Sequence, residues 1–363
     1  MQIQPVSTRF RQINRGSALA VLALFVAAIL ALVAGSFNGP EPVPARSLQN
    51  GDLALYGRIV DRLQQGQDYY AAAHAELVAR HYPTLSVFNW RTPLLLRLVS
   101  LAPSIAWAQG ILAALAVVAS GLGTWLANRQ GNWIIAGASI AVMILSLGAV
   151  LVPGTVFFGE VVAGVLILAS CCCYGLRLWL PGLLLALLAL FVRELAAPYV
   201  VICLGLAMAQ GRWREVGLGI LGLAGFGLYF LWHVHAVHAQ LGAGDITDVS
   251  GWISFGGLHF LVETAAFNGV LMVAPFWVSG IVLPLGLLGL LAFPAGARMA
   301  LVVGVYAVAF SIIGRPFNNY WGAIYTPLLG LGVVWAPLAL RDLLAAAMPI
   351  APRLQPSNGA DRL

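Results

Sequence analysis

About ten apolar runs, each near the roughly 20 residues that a membrane-crossing helix takes, divide this sequence from one end to the other. They fall at 18–35, 104–127, 132–151, 160–176, 178–192, 195–210, 216–236, 269–292, 299–314 and 320–340. No water is available in hydrocarbon to bond free N–H and C=O groups, so runs of this kind are expected as helices. The composition agrees: 61% of residues are hydrophobic and 9% charged, with mean hydropathy +0.90, against about one-quarter charged in soluble domains. The expected fold is therefore all-α, a polytopic membrane protein. Residues 1–345 form a single transmembrane domain, with an outer loop at 36–103, a second at 237–268, and a tail at 346–363.

Every basic residue among the 19 Lys+Arg is an arginine, set against 13 Asp+Glu. The arginines stand between the apolar runs, as topogenic signals do, and no nucleic-acid motif accompanies them. The 18–34 run, preceded by Arg9, Arg11 and Arg15, is too long for a signal-peptide core and is expected to be an uncleaved first span. With that N-terminus cytoplasmic, alternation places Arg129, Arg177, Arg212, Arg214, Arg298, Arg341 and Arg353 on the inner side, as the positive-inside rule requires. The short runs 178–192 and 195–210 fit two crossings or one re-entrant pair, and Arg212 with Arg214 favours two crossings. The expected location is a bacterial inner membrane, with both long loops periplasmic. The consecutive Cys171, Cys172 and Cys173, with Cys203, match neither a disulfide framework nor a zinc spacing.

Against this background the stretch "GDLALYGRIVDRLQQGQDYY", residues 51–70, is unusually rich in charge. Leu53, Tyr56, Ile59, Val60 and Leu63 recur at three and four, so 52–65 reads as an amphipathic helix at the membrane surface. Asp52 stands in its first turn, where the helix dipole favours a carboxylate. Further polar groups stand at the other outer turns: Arg91 in "NWRTP", Glu160 in "FFGEVV", Arg193 and Glu194 in "FVRELA", and Arg315, Asn318, Asn319 and Tyr320 in "GRPFNNYWG". A charge at the centre of a span costs about 2.5–3.5 kcal/mol, so ionisable groups near the membrane tend to be paired or functional. Of His233, His235 and His238, only His235 and His238 share a helical face, and no acid before Asp245 completes a metal site.

These short motifs resemble those of the GT-C class of membrane glycosyltransferases, which take a sugar from a polyprenyl-phosphate or related lipid-linked donor. The similarity lies in Asp52, Tyr56 and "GQDYY" of the first outer loop, in "NWRTPLLL" and "FFGEVVAG", and in the late "RPFNNYWGAIYTPLLGLG", spanning about 50–335. The resemblance implies an inverting transfer at the periplasmic face, with Asp52 as general base and Glu160 as the second acidic position. It also implies that Arg315, Arg91 and Arg193 receive the lipid phosphate, with Glu194, Asn319, Tyr320 and Tyr56 around the substrate. Partners would be a lipid-linked donor, a lipid, glycan or protein acceptor and membrane lipids, with no nucleic acid. Position 52 lacks the family's acid pair and no large soluble segment follows the last run. No cofactor is expected, and a divalent cation is left open. On this reading residues 51–70 are the acceptor side of the site. A transporter or flippase, or a non-catalytic membrane subunit of envelope assembly, fits the same charges, although a transporter would carry them nearer the midplane.

Overall fold

The computed structural model describes residues 6–38, 51–246, 255–314 and 316–348. Those residues are helical throughout, with no strand among them. In chain order the helices are α1 (Arg15–Phe37), α2 (Asp52–Gln64), α3 (Tyr69–Ala79), α4 (Leu94–Ser100), α5 (Ile105–Gln130), α6 (Trp133–Ser146) and α7 (Gly159–Gly175). They continue with α8 (Trp179–Val192), α9 (Ala197–Ala209), α10 (Trp213–His238), α11 (Gly257–Ala266), α12 (Phe276–Ala292), α13 (Ala297–Ile312) and α14 (Pro327–Ala347). Side-chain oxygens start several of them: Asn14 Oδ1 accepts from Ser17 N at 2.9 Å, and Asp68 Oδ1 from Tyr70 N at 2.9 Å. Each satisfies an amide that the first helical turn leaves free.

Each apolar run of the sequence contains a helix. Five stretches are long and apolar enough to cross a membrane: Arg15–Phe37, Ile105–Gln130, Trp133–Leu151, Trp213–His238 and Pro327–Ala347. The others, including α7, α8, α12 and α13, are apolar helices of 10–17 residues. Two expected boundaries are corrected. The 269–292 run opens with a 3-10 turn (Gly269–Met272) and becomes α-helical only at Phe276, and the 320–340 run opens inside the 3-10 turn Pro316–Ile324, so α14 begins at Pro327.

At the centre stands α7, buried from Gly159 through Cys173, as expected of a helix that is apolar all round. It packs on α5, α8 and the Pro316–Ile324 turn, while α12 pairs with α14. Small residues permit these approaches. A Cβ on Gly289 would meet Gly332 O at 1.8 Å, and one on Gly164 would meet Ala323 O at 1.9 Å. Gly164 thus lets the Pro316–Ile324 turn lie directly on α7, one helical turn from Glu160.

Above one end of the bundle, α2, α3 and α4 form a cap. The apolar face of α2 (Leu55, Tyr56, Ile59 and Val60) is buried, and the helix packs on α3 and α4. It is therefore spent on protein contacts. The cysteines Cys171, Cys172, Cys173 and Cys203 are free and buried.

Candidate functional site

Arg91 is the hub of the end that carries the cap. The chain reaches it through Trp90, whose indole Nε1 donates to Thr84 O at 2.8 Å, and Tyr69 Oη donates to the carbonyls of Trp90 (2.5 Å) and Arg91 (3.0 Å). Held at both ends, Arg91 adopts φ +56°, in the left-handed region. A long side chain is seldom kept there unless its surroundings over-determine it. The result aims its guanidinium inward: Nε donates to Tyr56 Oη at 2.8 Å and Nη2 to Tyr320 Oη at 3.0 Å.

Beyond Arg91 runs a ladder of alternating charge. Arg91 Nη2 lies 3.7 Å from Glu160 Oε1, which accepts from Arg193 Nε at 2.7 Å, and Arg193 Nη1 donates to Glu194 Oε1. Glu160 stands in the first turn of α7 and is 1% exposed, Arg193 4%. The second carboxylate oxygen of Glu194 is buried without a hydrogen-bond partner. Around the ladder, Phe158 lies against Tyr320 (ring centroids 5.1 Å) and edge-on to Tyr56 (6.5 Å). A narrow cleft with a free volume of only about 10 Å³, room for about one water-sized group, is lined by Tyr56, Arg91, Thr92, Leu95, Leu96, Phe157, Gly159, Val192, Arg193 and Glu194. A more open groove along Trp107, Gly110 and Ile111 of α5 has no charged lining.

The electrostatics keep this network ionised at Arg91 and neutral at the phenols. Burial works against the Arg91 charge, but Tyr56, Tyr320, Glu160 and Glu194 outweigh it and hold its pKa well above the ordinary value. Burial pushes the Tyr56 phenol up to about 12, with Arg91 opposing. Asp52 stands one turn before Tyr56 and outside the ladder. Its Oδ1 accepts from Tyr82 Oη at 2.7 Å, and burial together with this carboxylate raises the Tyr82 phenol.

Of the residues singled out in the sequence, Tyr56, Arg91, Glu160, Arg193, Glu194 and Tyr320 thus meet in one connected network, with Asp52 beside it. Asn319 does not join: it is exposed, and Asn318 is the buried one, its Oδ1 3.4 Å from Tyr320 Oη. A 3-10 turn advances each residue by about 120°, so neighbours point to different sides. Arg315 lies outside the described residues. Two of the five charges of 51–70 serve the cap rather than the site. Arg62 Nε pairs with Glu76 Oε1 at 2.6 Å, and Asp68 caps α3 and meets Arg97 at 3.4 Å. Asp52 and Tyr56 of that stretch face the network, and Tyr69 holds the Arg91 backbone. Tyr82 and Tyr69 take positioning parts that no charge or spacing announces.

The three histidines of α10 do not share one environment. His233 is buried against Tyr70 Oη (Nδ1 to Oη, 3.0 Å), His235 and His238 are exposed, and Asp245 pairs with His74 at 2.8 Å. Among the described residues no group of three or more His, Cys, Asp or Glu is placed to hold a metal ion. No family model, curated protein or solved structure matches the chain.

Proposed function

We propose that this chain is a GT-C-like membrane glycosyltransferase, crossing the bilayer ten times with its N-terminus inside, and transferring a sugar from a polyprenyl-phosphate donor at the outer face. One observation carries the reading: a carboxylate, Asp52, with an oxygen that takes no hydrogen bond among the described residues, stands beside the guanidiniums of partly buried Arg91 and buried Arg193, aligned by Glu160 and Glu194. Tyr82 occupies Asp52 Oδ1, and Oδ2, which takes no hydrogen bond among the described residues, would take the acceptor's proton. The deprotonated oxygen attacks the anomeric carbon as its bond to the lipid phosphate breaks. The electron pair leaves with the phosphate. Arg91 Nη1 and Arg193 Nη2, which take no part in the ladder bonds described above, are the donors on which that charge would settle. Glu160 holds both guanidiniums at one point, and the cap formed by α2–α4 lies at the membrane surface over the cleft.

Incubating purified protein in liposomes with a panel of polyprenyl-phosphate sugars tests this, with Asp52→Asn run in parallel. One donor should be consumed by the wild type, and the variant should lose about 10²–10⁴-fold in rate while remaining folded. Equal consumption by the variant removes Asp52 from the base role, and no consumption of any donor removes the transferase reading.

A further inference from the structure

The opposite end of α7 carries a second polar cluster, built differently. Tyr174 lies there, 14 residues after Glu160 and so about 21 Å away along the helix. The Arg298 guanidinium carbon sits 3.7 Å from the centroid of the Tyr174 ring, and that of Arg212 sits 5.8 Å from it. Arg298 comes from the start of α13 and Arg212 from the residue before α10. Glu215, 1% exposed in the first turn of α10, has Oε2 3.0 Å from Arg212 Nη1, a contact that lacks hydrogen-bond geometry. Five polar atoms around this ring are buried without a well-formed hydrogen bond, Arg298 Nη1, Arg212 Nε, Tyr174 Oη and both oxygens of Glu215, although Glu215 stands within reach of Tyr174, and Cys203 within reach of Tyr174 and Arg298.

Native chains leave few buried polar atoms poorly paired, and what this cluster lacks is less a donor or acceptor than a negative charge. Two guanidiniums face one carboxylate, and Arg298 has no acidic partner among the described residues, so one positive charge is in surplus beside a spanning helix. A single negative charge presented on paired oxygens matches the guanidinium fork. Glu215 then disfavours a second negative charge at the same place. Exposed Arg177 and Arg214 stand on the adjoining turns, at the level where helix ends meet lipid headgroups.

We propose that Arg298 and Arg212, held against Tyr174, form a notch for the phosphodiester of a phospholipid in the leaflet facing this end. Inorganic phosphate, largely dianionic at neutral pH, is the poorer ligand because its extra charge falls near Glu215. The inference uses only the spanning bundle and is independent of glycosyl transfer.

The test is native mass spectrometry of the full chain, delipidated in detergent and titrated with short-chain phosphatidylglycerol, diacylglycerol or inorganic phosphate. One phosphatidylglycerol should be retained per wild-type chain, and retention should fall about tenfold in Arg298→Gln, the loss of a charged hydrogen bond, but not in Arg214→Gln. Arg298→Lys, which keeps the cation over the ring and loses the fork, should fall between them and serves if the Gln variant does not fold. Equal retention by wild type and both Arg298 variants, or equal retention of diacylglycerol, overturns the site. Displacement by equimolar inorganic phosphate overturns the lipid assignment in favour of free phosphate. Failure of these outcomes leaves the transfer assay unaffected, and a negative transfer assay leaves the notch unaffected.

Discussion

The two ends of α7 carry similar residue types and opposite logic. At one end Glu160 binds Arg193 and faces Arg91, while Arg193 also binds Glu194, so each guanidinium of the ladder has an acid. At the other, Arg298 lies on the Tyr174 ring with no acid among the described residues, and Glu215 meets the looser Arg212 and the Tyr174 hydroxyl. A balanced, hydrogen-bonded network rigidifies the place where it sits, whereas a surplus charge with poorly paired donors is stable only when something outside the chain completes it. The contrast separates a preorganised site from an open one within a single helix.

The strongest way to break the comparison is to neutralise the carboxylate at each end. Glu160→Gln leaves the buried Arg193 charge without its main partner and should cost about 3–5 kcal/mol of unfolding free energy in detergent. Glu215→Gln should cost only about 0–1 kcal/mol, because Arg212 is 31% exposed and can turn toward water. The same change should also let inorganic phosphate compete at the notch. Equal costs at the two ends would show that the ladder is not special.

The next effect concerns how the outer network is brought together. Gly164→Val puts atoms where Ala323 O now lies. It should cost about 1–3 kcal/mol as an overpacked contact and should draw Tyr320 away from Arg91, read as a change in Tyr320 hydroxyl exchange or in cross-linking to position 91. A smaller effect is expected of Tyr82→Phe, about 0.5–1.5 kcal/mol for the bond to Asp52. It should shift the pH profile of transfer while leaving the Arg91 ladder intact.

The smallest effect is set by pH and lies in the cap. Thr84 N and Leu85 N both donate to Ile246 O (2.9 and 3.2 Å), and Asp245 beside it accepts from Gly242 N at 2.6 Å and meets His74 Nε2 at 2.8 Å. Desolvation raises the Asp245 carboxyl, but the bonds from Thr84, Gly242 and His74 outweigh it and hold its pKa below the ordinary 3.8. A carboxyl depressed on folding stabilises the fold above its unfolded pKa and loses that contribution as pH falls through the folded value. Protection of the Thr84 and Leu85 amides, their exchange rate relative to a free amide at the same pH, should therefore be constant above about pH 5, where the carboxyl is ionised in either state. Protection should fall only below the ordinary 3.8, and Asp245→Asn should remove the acid dependence.

How much of this was legible beforehand differs between fold and site. The apolar runs named the long helices because hydropathy over 20 residues leaves few alternatives in a bilayer. Boundaries failed at Gly269 and Tyr320, where apolar residues build 3-10 turns and hydropathy does not register turn geometry. Six of the polar residues singled out do converge, because the helices and turns that carry them meet at one end of the bundle. Their pairing was not visible: nothing in "FVRELA" says that Arg193 reaches across to Glu160, 33 positions earlier. The charge-rich stretch at 51–70 misled for a related reason, because Arg62 and Asp68 find their partners in Glu76 and Arg97 of the same cap.

The sequence by itself determined that this chain is a helical bundle made for lipid, with arginines grouped at one end and mixed charges at the other. That follows from the cost of bare backbone and charge in hydrocarbon, which acts on every segment separately. Only the tertiary structure decided which charges meet. Arg91 in a left-handed turn, Gly164 under Ala323 and Tyr174 between two guanidiniums are contacts of segments far apart in sequence, and they are selected by packing, which no single segment encodes.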